Sequence, residues 1–160
     1  LFWLLVALTW LALIAALGIL LIAAAITDLR ARIISNRLNL GVAALAPLWW
    51  IACGLPLWPG MAVQLLVGLL VFVLFAALFA FGMMGGGDVK LLGALALWFP
   101  WQAVLTLLTL MAILGGAVTI VTVIHHRLRR KQGQPEIPYG VAISIAALWL
   151  LGERYLNQFA

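Results

Sequence analysis

The sequence predicts an all-α integral membrane protein: one domain over residues 1–160, built as a bundle of about six transmembrane helices, the fourth short and preceded by a glycine-rich loop. Three observations carry this prediction. Of 160 residues, 68% are hydrophobic and only 8% charged, and the mean hydropathy of +1.26 implies far more apolar surface than one small core can hide. The first charged residue, Asp28, follows 27 uncharged ones, which exceeds the roughly 20 apolar residues a spanning helix needs. The remaining charges fall in short clusters between apolar runs. A net charge of +5 would suggest nucleic acid in a soluble protein, but clustered cations suit membrane-flanking loops instead, so lipid is expected and nucleic acid is not. Cys53 is the single cysteine, which excludes a disulfide framework and a four-cysteine metal site. It reads as a small apolar helix residue.

The run from Leu1 to Thr27 reads as a retained span, because a signal peptide's apolar region is shorter and follows its basic residues. Arg30, Arg32 and Arg37 then mark a polar loop, in which Ser35 or Asn36 can cap a second helix from about Leu38 to Cys53. Two prolines and two glycines in residues 54–60 break the next run. Trp58, with Trp49 and Trp50 nearby, suits a membrane interface. A third span follows from Met61 to about Phe81, and a fourth segment from Val89 to Phe99 has only 11 residues, about 16 Å of helix. Pro100 closes it between Trp98 and Trp101. Gln102 to Ile124 makes a fifth span, the basic run from His125 to Lys131 follows, and Pro138 begins a last helix over Tyr139–Leu151.

Cations set the orientation, since short loops rich in Lys and Arg stay in the cytoplasm. With six crossings, eight of the nine Lys and Arg residues lie on one side, and the ends of the chain lie on the other. Asp28 and Asp88 then share the cytoplasmic end of the bundle.

These are the only two aspartates, and an ionisable group in or beside a membrane segment reads by default as a functional candidate. Two carboxylates brought close share a proton, since like charges in a low dielectric do not both ionise cheaply. One can then draw a proton from water while the other polarises a scissile carbonyl, which hydrolyses a peptide without metal, cofactor or covalent intermediate. Gly85, Gly86 and Gly87 precede Asp88 and would let a substrate backbone approach. Gly82 and Gly86 also form a GxxxG spacing, a helix-packing signal. His125 and His126 look like solvated surface rather than metal ligands. The plainer reading of both aspartates is a helix cap, or an interfacial charge paired with Arg30 or Lys90.

The stretch Gly85-Gly86-Gly87-Asp88-Val89-Lys90-Leu91-Leu92 resembles the GxGD motif of the prepilin peptidases, bacterial relatives of a wider group of intramembrane aspartic proteases. Asp28 followed by Arg32-Ile33-Ile34-Ser35-Asn36 is similar to the family's first-aspartate segment, with Ser35 where the family usually has proline. Ile137-Pro138-Tyr139-Gly140-Val141-Ala142 is similar to the segment that opens its last helix. The resemblance is closest to the small, peptidase-only members that process Flp-type pilins of tight-adherence systems. It implies a multi-pass protein of the bacterial inner membrane that cleaves the short basic leader of a prepilin or pseudopilin on the cytoplasmic side, with Asp28 and Asp88 as the catalytic pair. The larger relatives also N-methylate the product and carry an extra region with paired cysteines; the single cysteine here implies no methyltransferase activity. Lys90 is a possible substrate-binding residue, for an acidic group after the cleavage point, or else a snorkelling cation. Two other functions fit the charge pattern: a small ion- or proton-coupled transporter, and a non-catalytic subunit of a secretion or pilus-assembly machine.

Overall fold

The structure is a computed structural model that describes residues 2–129 and 137–156. It is an all-α membrane protein, with six α-helices among the described residues: α1 (Phe2–Ala31), α2 (Asn36–Ala52), α3 (Ala62–Ala80), α4 (Gly86–Ala96), α5 (Trp101–Leu128) and α6 (Tyr139–Leu151). Long and short helices alternate. The stretches Leu4–Ala31, Leu57–Ala80 and Trp101–Leu128 are each long and apolar enough to cross a membrane, whereas α2, α4 and α6 have 17, 11 and 13 residues. The short α4 sits at the centre and is buried on every side but that of Lys90. It packs on α2, α3 and α6, while α1 joins α2 to α6 and α5 lies outside α6.

The expected helices are present, with their ends moved by local chemistry. Ser35 is the cap of α2, its Oγ accepting the Leu38 N–H at 3.3 Å. Gly82, at φ 71°, ends α3: its N–H donates to the Phe79 carbonyl and that of Met83 to the Leu78 carbonyl, the paired closure for which a left-handed glycine is suited. Gly82 and Gly86 therefore do not share a helix, and their spacing is not a packing motif. The helix α5 runs to Leu128, so His125, His126 and Arg127 form its last turn instead of a loop, as cations at a helix C-terminus favour. Arg130 and Lys131 of that basic run lie outside the described residues.

The tryptophans also divide differently from expectation. Trp58 and Trp101 are exposed, but Trp49, Trp50 and Trp98 are buried, with Trp49 stacked on Trp98 at 5.9 Å and edge-on to Tyr155 at 5.0 Å. The reason is the shortness of α4. The carbonyls just past its end are inside the protein and need donors: Trp50 Nε1 supplies one to Leu97 O at 2.7 Å and Gln64 Nε2 reaches Leu97 O and Phe99 O, each at 3.1 Å, while Trp98 Nε1 donates to Val42 O at 2.9 Å.

Candidate active site

The buried stripe of α1 consists of Leu17, Leu21, Ala24 and Asp28, spaced by four, three and four residues as one helical face requires. Asp28 is thus carried into the bundle by the periodicity that carries the leucines, one turn nearer the polar end. The start of α6 meets it there. The Val141 N–H donates to Asp28 Oδ2 at 3.1 Å, and the Gly140 N–H is a further backbone partner. A Cβ on Gly140 would lie 2.9 Å from Asp28 Oδ2 and 2.6 Å from Ile34 Cδ1, so only glycine allows α6 to come this close. First-turn N–H groups of a helix are suited to hold an anionic oxygen.

Asp88 reaches the same place from α4. Gly85 is the cap residue of that helix, and Gly86, Gly87 and Asp88 form its first turn, closed by the Val89 N–H to the Gly85 carbonyl at 3.2 Å. Two of the three glycines expected in a loop are therefore helical. The Asp88 carboxylate turns back to accept the Gly85 N–H, as an acidic third residue does in a capping box. A Cβ on Gly85 would lie 2.9 Å from Asp88 Oδ2. Asp28 and Asp88 are 5% and 8% exposed, and the charge of Asp28 acts directly on Asp88.

Both carboxylates line a cavity of about 190 Å³ together with Arg32, Ile33, Ile34 and the three glycines. They also line a wider one of about 600 Å³ that reaches Met83, Met84, Ile137 and Tyr139. The second cavity draws on the α1–α2, α3–α4 and α5–α6 connections at once, so these three junctions share one end of the bundle. Arg32, in the left-handed region at φ 55°, lies in both cavities, and its cation acts on Asp28. No three His, Cys, Asp or Glu side chains converge among the described residues.

Lys90 is elsewhere. It is exposed on the opposite side of α4, where its Nζ donates to Asn36 Oδ1 at 2.8 Å and it borders a groove of about 580 Å³ between α2 and α3. Neither cavity of the aspartates includes it. One polar residue bonded to the glycine run has no place in the sequence reading. Buried Asn39 on α2 donates from Nδ2 to the Gly87 carbonyl at 3.0 Å, and an amide in an otherwise apolar helix was the available signal.

An all-α membrane bundle that gathers two buried carboxylates beside a glycine-rich helix start, in a cavity at the end shared by three connections, belongs to the class of membrane proteins with a one-sided polar site. The particular family follows from the sequence match. Residues 15–120 fit the model of the type IV leader peptidase family, and the chain belongs to that family of peptidases. The matched span includes Asp28 and Asp88. No curated protein and no solved structure matches the chain.

Proposed function

We propose that the protein is an aspartic endopeptidase that removes the short basic leader from Flp-type prepilins or pseudopilins, without N-methyltransferase activity, with Asp28 and Asp88 as its catalytic pair. The observation that carries this reading is the meeting of the two carboxylates, 60 residues apart in the chain, in shared cavities at one end of the bundle. A pair so placed holds one proton between its members, and the titration belongs to the pair. The ionised member takes a proton from water, the resulting hydroxide adds to the scissile carbonyl carbon, and the protonated member gives its proton to the carbonyl oxygen. Collapse of the tetrahedral intermediate breaks the C–N bond as the leaving amine takes the proton that the first aspartate drew from water, and the second aspartate recovers its proton from the former carbonyl oxygen.

The site opens to the cytoplasm of a bacterial inner membrane in this reading. Its support is the cation distribution: Arg30, Arg32 and Arg37 flank the same end as the aspartates, as cytoplasmic loops do. A single-pass apolar substrate then presents its polar leader to the wide cavity while its apolar helix stays in the bilayer.

The test is leader removal from a co-expressed Flp-type prepilin in membranes, read as a mass shift. Asp28→Asn and Asp88→Asn should each abolish cleavage at unchanged protein level, since an amide can neither take nor give the proton. Persistent cleavage in either variant would reduce that aspartate to a helix cap and remove the dyad.

A further inference from the structure

Asn39 is a polar side chain that the stability of α2 does not explain. The stretch from Leu38 to Trp50 is otherwise apolar, and Asn39 is 5% exposed. Its Nδ2 donates to the Gly87 carbonyl at 3.0 Å, but its Oδ1 is buried with no hydrogen-bond partner among the described residues. A buried acceptor left unsatisfied costs at least as much as one neutral hydrogen bond returns. The Gly87 carbonyl lies in the first turn of α4, where the N–H four residues on is its regular helical partner. Loss of Asn39 would therefore orphan nothing on α4, and an apolar residue of similar shape would serve the packing as well or better.

What the amide supplies is a fixed distance. Gly87 is the residue before Asp88, and Asn39 holds its carbonyl to α2. Ile34 closes on the same glycine from the α1–α2 connection, since a Cβ there would lie 3.1 Å from both Ile34 Cβ and Ile34 O. On the exposed side the Lys90–Asn36 bond spans the same pair of helices at 2.8 Å. The turn that carries Asp88 is thus tied to the start of α2 by two hydrogen bonds that border the same groove, and the buried one is that of Asn39.

We propose that Asn39 is a positioning residue for the aspartate pair: acting through the Gly87 carbonyl, it fixes the first turn of α4 against α2 so that Asp88 stays turned toward Asp28. This inference rests on the reading of Asp88 as catalytic. An isosteric apolar replacement separates positioning from packing, because it removes the tie and the orphaned oxygen together.

The experiment is steady-state cleavage of a purified Flp-type prepilin by the full chain in detergent micelles, with thermal unfolding of the same preparations. Asn39→Leu should lower kcat roughly 10- to 100-fold, the scale of a misplaced catalytic group, with KM unchanged and the thermal midpoint equal or higher. Asn39→Asp, which sets an acceptor against the carbonyl, should lower kcat at least as far, and it carries the test if Asn39→Leu does not accumulate. An unaltered kcat in either variant, a loss confined to KM, or a loss matched by a lower thermal midpoint would overturn the proposal. Asp28→Asn and Asp88→Asn in the same assay keep the two readings apart. If they still cleave, both readings fall; if they are inert while Asn39→Leu turns over normally, only the positioning role falls.

Discussion

Asp88 and Lys90 stand two residues apart on one 11-residue helix and belong to different regions of the molecule. A two-residue step turns about 200° around a helix, which takes Asp88 toward α1 and α6 and Lys90 toward the groove between α2 and α3. On the first face the side chain is buried beside a second carboxylate, at the meeting of three connections. On the second the wall is apolar apart from Asn36, Asn39 and Lys90, and the cation is exposed and bound to a neutral amide. Proximity in the motif does not imply a shared task. The glycine run serves the buried face, through the cap at Gly85 and the close packing of Gly87, while Lys90 joins α4 to α2 from outside.

Substitutions can break or sharpen this contrast. After the aspartates themselves, the largest effect is expected at Gly140, where an added methyl must displace either Ile34 or the Asp28 carboxylate. Gly140→Ala should cut the cleavage rate about 100-fold, the cost of an ångström-scale misplacement, at unchanged protein level. A normal rate would mean that the start of α6 yields without moving Asp28. Gly87→Ala is expected to be milder, about tenfold, because its Cβ would press on Ile34 at 3.1 Å and reach the carboxylate only through the turn. A loss larger than that of Gly140→Ala would reverse the ranking of the two helix starts. The smallest effect belongs to the outer face: Lys90→Met should change kcat/KM less than about fivefold, since exposed polar pairs contribute about 1 kcal/mol or less. A larger loss with a prepilin that is acidic after its cleavage point, absent with its neutralised variant, would return Lys90 to substrate binding.

The fold was legible because each helix is announced locally. An uncharged run, a cap such as Ser35 and a breaker such as Gly82 act within a turn or two of chain, so all six helices could be placed from the residues alone. The candidate pair was legible for a related reason: a carboxylate in an apolar protein is costly enough that two of them stand out. Trp49 and Trp50 differ from the interface expectation because an indole suits either a lipid interface or a packed interior, and the choice at Trp50 depends on where α4 ends in space. The glycine run differs from expectation by two residues because glycine leaves both loop and helix open, and only the packed helix fixes the start of α4 at Gly86.

The sequence by itself determined an all-α membrane protein, the boundaries of its apolar runs, and the two carboxylates worth attention. Only the tertiary structure decided that Asp28 faces the start of α6, that Asp88 lines the same cavities, that Lys90 turns to the other side of α4, and that Asn39 donates to the Gly87 carbonyl. The physical reason is range. Hydropathy, capping and chain breaking are properties of neighbouring residues, whereas a carboxylate pair and a side chain's grip on a distant carbonyl exist only once helices pack, and helix packing is set by the shapes of many residues at once.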